Sequence, residues 1–173
     1  MKYPNITLGR VEAVWNKLGG DEGVQCFLSG ASEVVIRKHL INCDADPYVP
    51  NGWSVEEHQK GGQLQWNKDA QKDALYLSDK QKSGSIVGNK LRTELKGKPV
   101  LNANVLDYLL AHPHLISEEW KEKYVFFWGT IYRGSHGDLC VRFLYWHEGG
   151  WRWSYHWLVY VWYADDPAAV FAS

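Results

Sequence analysis

The densest group of side chains able to hold a hard cation or move a proton is Asp44-Ala-Asp46, followed by Glu56-Glu57-His58. Two carboxylates at i, i+2 on a loop can bind a divalent ion, and a nearby histidine can act as a general base for hydrolysis. One expectation is therefore a metal-dependent hydrolase or nuclease centred on Asp44, Asp46 and His58. The competing reading is that Asp44 and Asp46 shape the turn before Pro47 through side-chain to backbone hydrogen bonds. His112-Pro-His114 sets two imidazoles beyond a helix end. Zinc needs a third and fourth ligand, and the adjacent sequence supplies neither, so no metal site is assigned.

Other catalytic signatures are missing from the sequence. Gly19-Gly20 and Gly61-Gly62 lack the Gly-Lys-Ser/Thr ending of a phosphate loop, and no Gly-x-Ser-x-Gly elbow occurs. The three cysteines, Cys26, Cys43 and Cys140, are far apart and form no Cys-x-x-Cys pair. Cys140 falls inside a strand, on the parity opposite to the aromatic face described below, with nothing to mark an activated thiol. No cofactor is expected.

The chemistry best represented is aromatic. The chain has ten tryptophans, six of them from Trp128 onward. Trp151, Trp153, Tyr155 and Trp157 share one parity with Val159, Val161 and Tyr163, so a strand here stacks them on a single sheet face. Tyr124, Phe126, Trp128 and Tyr132 alternate in the same way, as do Leu139, Val141, Phe143 and Tyr145. Two uses of that face compete. It can be core, packed on the Leu106–Leu110 helix, or it can stay open and stack on a sugar ring or a nucleobase. Arg133, Arg142 and Arg152 lie near these strands and can add phosphate or cation–π contacts, or sit as ordinary polar residues on the outer face. Trp151, Trp153, Tyr155, Trp157, Arg133 and Arg142 are the candidate ligand-binding residues.

These residues need elements to position them. Thr7 caps a helix carrying Leu8, Val11, Val14, Trp15 and Leu18 until Gly19-Gly20, and Asp21 caps a second that ends at Gly30. Val34–Ile41 reads as a strand, and Asp44–Trp53 as turn chemistry. Short strands are expected at Gln63–Trp66 and Ala74–Leu77, around a polar turn at Lys68–Lys72. Helices follow at Asn89–Leu95 and after Asn102 or Asn104, the latter ended by Pro113, with a short turn at Ser117–Lys121. From Tyr124 the period changes to two. Tyr124–Arg133, Leu139–His147 and Trp151–Tyr163 form a three-stranded meander. The fold class expected is α+β: short N-terminal and central helices packed on an antiparallel sheet with a Trp-rich C-terminal meander, in one domain over residues 1–173.

Composition bounds the function. With 173 residues, 45% hydrophobic and 23% charged, the chain can bury a core, and its net charge of −1 gives no general pull toward nucleic acid or an anionic membrane. Lys60–Lys98 differs: nine basic residues against four acidic leave it about +5. That stretch is either a set of solvated faces or a surface that meets phosphate. No basic-then-apolar leader occupies Met1–Leu8, and the apolar run around Trp157–Ala164 is too short to span a bilayer, so a soluble cytoplasmic protein is expected.

Three segments together carry a resemblance: Lys98-Pro-Val-Leu-Asn-Ala-Asn-Val-Leu-Asp-Tyr-Leu-Leu-Ala-His-Pro, Phe126-Phe-Trp-Gly-Thr-Ile-Tyr-Arg133, and Leu139–Trp146 with Val-Arg at its centre. The chain resembles, from Ile6 to near its end, a family of short hypothetical proteins from uncultivated bacteria. That resemblance implies a small stand-alone bacterial protein and assigns no site residue or substrate. The leading functional expectation is a non-enzymatic binding protein for single-stranded nucleic acid or carbohydrate, with no membrane partner. The alternatives are the hydrolase above and a structural partner that buries its aromatic face in a homodimer.

Overall fold

The structure is a computed structural model that describes residues 7–33, 39–71, 74–172. The chain divides into two compact units, Met1–Arg37 and Lys38–Ser173. In the first, α1 (Leu8–Leu18) and α2 (Gly20–Leu28) pair as a helical hairpin. The Thr7 side chain accepts from the Arg10 amide at 3.4 Å, and Gly19 takes a left-handed φ of 93° that ends α1 and starts α2. Asp21 therefore sits in the first turn of α2 rather than at its cap.

The second unit holds everything else. Its elements in order are β1 (Leu40–Asn42), β2 (Ser54–His58), β3 (Gln63–Gln65), α3 (Lys68–Gln71), β4 (Leu75–Tyr76), α4 (Asp79–Ser83), β5 (Ile86–Val87), α5 (Gly88–Leu95), α6 (Ala103–Ala111), β6 (Val125–Phe126), β7 (Thr130–Arg133), β8 (Leu139–His147), β9 (Gly150–Trp157), β10 (Val161–Trp162) and β11 (Ala168–Ala169), with 3-10 turns at Pro113–Leu115 and Glu118–Trp120. The α+β class holds. Most of the strand expected at Val34–Ile41 lies outside the described residues; its end is β1, paired with β3. The polar stretch after Asn67 is helical in α3 rather than a turn, because Asn67 Oδ1 takes the amides of Asp69 and Ala70.

A seven-stranded sheet runs β2-β7-β8-β6-β11-β4, with β9 on the other edge of β8. The meander is present, with two of its strands broken. The first splits at Phe127-Trp128-Gly129 into β6 and β7, both paired with β8. A Cβ on Gly129 would stand 2.9 Å from the Asn102 backbone, so only glycine lets the chain pass under the start of α6. The last splits at Leu158–Tyr160, after which β10 leaves β9 to pair with β5. The β8–β9 hairpin closes through Glu148-Gly149, both at positive φ (47° and 79°), the twist-compatible two-residue turn.

Register decides the faces. Cys140, Arg142, Leu144 and Trp146 stand opposite Trp157, Tyr155, Trp153 and Trp151, so Cys140 shares the tryptophan face, against the parity expected for it. The break at Gly129 likewise puts Phe126 with Phe143 on one face and Tyr132 with Cys140 on the other. One face packs on α6: Val105, Leu106, Leu109 and Trp120 with Val125 and Leu144, against which Trp151 and Trp153 rest half-buried. The other packs on α5 and β5: Leu91, Leu95 and Ile86 with Phe126, Val141, Ile131 and Trp162. A helical layer on each side gives the sheet two cores.

Candidate aromatic groove

Five of the six candidate residues lie on the α6 face, where most are enclosed, while Arg133, opposite Leu139, is on the other face. Arg142 is 1% exposed and forks onto Asp107 of α6, at 2.7 and 3.1 Å, while its guanidinium lies 4.2 Å from the centre of the Trp153 ring. Burial alone would lower the Arg142 pKa; the bonds to Asp107 and Tyr132 more than offset it and keep the group charged. Tyr132 donates to the Tyr48 carbonyl, and burial pushes its phenol up to about 12 despite the Arg142 contact. Trp157 packs on Trp53 and the Tyr132–Cys140 cluster. Burial takes the Cys140 thiol up to about 12, the opposite of an activated nucleophile. Trp146 crosses Trp151 edge to face and lies beneath Lys121. Tyr155 is the one exposed ring of the four, and Arg133 is a surface residue bonded to Glu56 at 2.8 Å.

Asp44, Asp46 and His58 do not form a catalytic set. His58 donates through Nε2 to the Cys43 carbonyl at 3.2 Å and accepts at Nδ1 from the Thr130 hydroxyl at 2.9 Å. That hydroxyl in turn accepts the Ala103 amide, so the network caps α6 and leaves His58 no nitrogen for a substrate. Asp44 Oδ1 accepts the Gly62 amide, tying the turn to the loop before β3, and Asp46 is exposed. Among the described residues no group of three or more His, Cys, Asp or Glu is gathered to hold a metal ion. The basic stretch is divided likewise. Lys80 pairs with Glu94, Lys82 with Asp79 and Arg92 with Glu57, and Lys98 lies over Tyr76, so its charge is spread rather than pooled.

The open aromatic surface is on the opposite face. A groove of about 560 Å³ has Phe126, Phe143 and His156 as its floor. Its walls are Tyr124, the β9–β10 connection with Tyr160, and the turn from Tyr163 to Asp166. Tyr124, Tyr160 and Tyr163 are 44%, 56% and 52% exposed, so three rings stand with free faces around one floor. Tyr124 meets Phe143 edge to face at 5.5 Å, and His156 lies 5.7 Å from Tyr160.

This wall is held from several elements. Ser78-Asp-Lys-Gln81 is a capping box on α4, and the Gln81 side-chain amide also donates to the carbonyls of Tyr163 and Asp166, at 2.9 and 3.0 Å. The Tyr124 and Phe126 amides donate to Asp165 and Pro167. The turn is therefore preorganised although its rings are exposed. Asp166 accepts the Tyr163 amide through Oδ2 at 2.8 Å, which leaves Oδ1 for a ligand. Burial raises its carboxyl above the ordinary value, with the Tyr163 amide and His156 pulling it back. His156 Nε2 donates to the Val161 carbonyl, so Nδ1 is the acceptor nitrogen.

The groove presents stacking faces, hydroxyls and acceptors, and no lysine or arginine lines it. Reading one parity of the last strand cannot find it, because its floor uses the other parity and its wall follows the break at Leu158–Tyr160. The tyrosine spacing Tyr160-Val-Trp-Tyr163 with Asp165-Asp166 is the signal that was available. No helix of the described residues is long and apolar enough to cross a membrane. No protein family, curated protein or solved structure matches the chain.

Proposed function

We propose that the protein is a non-enzymatic carbohydrate-binding protein whose site is the groove of Tyr124, Phe143, His156, Tyr160, Tyr163 and Asp166. The observation that carries this reading is the company of the exposed tyrosine rings: two carboxylates, and no cation. A sugar offers C–H faces to aromatic rings and hydroxyls to carboxylate and imidazole acceptors. A hydrogen bond to a charged acceptor contributes about 1.5–3 kcal/mol, so Asp166 fixes orientation while the rings supply contact area. A nucleic acid would bring phosphates to Asp165 and Asp166, where like charge opposes them. The carboxylates therefore favour the neutral ligand of the two.

Titration calorimetry against a panel of neutral oligosaccharides, at low and high salt, tests the proposal. Binding should be nearly independent of salt and fall about tenfold per ring in Tyr160→Ala and Tyr163→Ala. Binding only to single-stranded oligonucleotides, weakening steeply with salt, would reassign the ligand. Saccharide binding that survives both substitutions would remove the groove from the account.

A further inference from the structure

The edges of the central sheet are protected unequally. Native sheets blunt an exposed edge with bulges, charge, proline or brevity, because an unpaired strand templates another. The edge at β2 is bulged between Val55 and Glu57 and carries Glu56 and Glu57, and the edge at β4 is two residues long. β9 has none of these features. It runs unbroken from Gly150 to Trp157, in register with β8 at every residue, with no proline or lysine and no buried residue.

The direction of its backbone groups follows from the residue after its end. The Leu158 amide donates to the Leu139 carbonyl of β8 at 2.8 Å, and amides alternate in direction along an antiparallel strand. Gly150, Arg152, Ser154 and His156 therefore turn their amides to β8, while Trp151, Trp153 and Tyr155 turn N–H and C=O to the open edge. Among the described residues no backbone group bonds to those three from that side. We propose that this edge pairs with β9 of a second copy, antiparallel across a two-fold axis at Trp153, joining the two sheets into one.

The strand is complementary to itself in that register. A two-fold axis normal to the sheet keeps each face on its own side, so only residues of equal parity can pair. Centred on Trp153, the edges exchange bonds between Trp153 and its own copy and between Trp151 and the copy's Tyr155, which is 39% exposed in the single chain. These are aromatic pairs, on the α6 face. On the other face Arg152 meets Ser154 and His156 meets Gly150, so no two cations stand opposite; an axis at Ser154 would set Arg152 against His156. Self-complementarity of this kind is what an isologous interface requires, and it favours a second copy over a foreign strand. The two grooves then open on the same side of the joined sheet.

Sedimentation velocity of the full chain over a dilution series tests the interface, together with hydrogen exchange of the β9 amides. A dimer is expected, in which the Trp151, Trp153 and Tyr155 amides exchange more slowly as concentration rises. Tyr155→Pro removes one outward amide and none that faces β8, and should weaken the dimer about 10- to 100-fold. Ser154→Arg sets two guanidinium groups opposite each other and should weaken it several-fold, while Ser154→Glu meets the copy's Arg152 and should tighten it. A thermal melt of each variant separates lost pairing from lost folding. A monomer at every concentration would remove the interface, and a dimer untouched by Tyr155→Pro would place it elsewhere. Equal affinities for the two Ser154 variants would overturn the axis at Trp153. A monomer whose outward amides are protected only by an added extended peptide would give the edge to a foreign strand, against the proposal.

Discussion

The two faces of the central sheet carry similar aromatic content and put it to opposite use. On the α6 face Trp151, Trp153 and Trp157 are half-buried, and the charge among them, Arg142, is fixed by Asp107. On the α5 face the inner aromatics Phe126 and Trp162 are core, while Tyr124, Tyr160 and Tyr163 remain open beside two carboxylates. Tryptophan density therefore marks where the sheet is closed, and tyrosines at a strand break mark where it is open. A large apolar ring gains most by full burial, whereas tyrosine tolerates one wet end.

The largest effect that sharpens this contrast is on stability. Asp107→Ala leaves a buried guanidinium without its carboxylate and should destabilise the fold by about 3–5 kcal/mol in urea titration, whereas Arg142→Met should cost far less. Equal losses from both substitutions would argue that packing, not charge, holds that face. Next come the groove rings: Tyr163→Ala should reduce saccharide affinity about tenfold while changing unfolding free energy by less than about 1 kcal/mol. A large stability loss would make Tyr163 a core residue and erase the difference between the faces.

A smaller effect follows pH. The Asp166 carboxyl is raised above its usual 3.8 by burial, so the folded state binds this proton more tightly than the unfolded chain. Its contribution is fully present below 3.8 and is lost as pH rises through the folded value. Asp166→Asn should flatten that part of the stability profile, and an unchanged slope would show that Asp166 is not desolvated in the groove. The smallest concerns the β8–β9 turn. Glu148 holds a positive φ that asparagine tolerates better, so Glu148→Asn should stabilise by about half a kcal/mol, seen as a small rise in Tm.

Much of the scaffold was legible in the residues. The apolar stripe Val105, Leu106, Leu109 gives α6, and the alternation of Leu139–His147 against Trp151–Trp157 gives the hairpin. Less legible were elements whose pattern is polar or very short. β2 reads Ser-Val-Glu-Glu-His, all but one residue exposed, because only its backbone is needed at the sheet edge. Register was invisible as well. Which parity of β8 meets the tryptophans depends on a two-residue turn, and a shift of one residue exchanges the faces. The groove was hidden for a related reason: its residues come from β6, β8, β9 and the segments after it, with Gln81 of α4 as the brace.

Hydroxyl-radical footprinting read by mass spectrometry, with and without the best saccharide of the panel, tests the account most directly. Tyr124, Tyr160 and Tyr163 should oxidise readily in the free protein and be protected when the sugar binds. Trp153 and Trp157 should react slowly and equally in both states. Protection confined to Trp151–Trp157, with the groove tyrosines unaffected, would contradict the account and place the binding face on the α6 side.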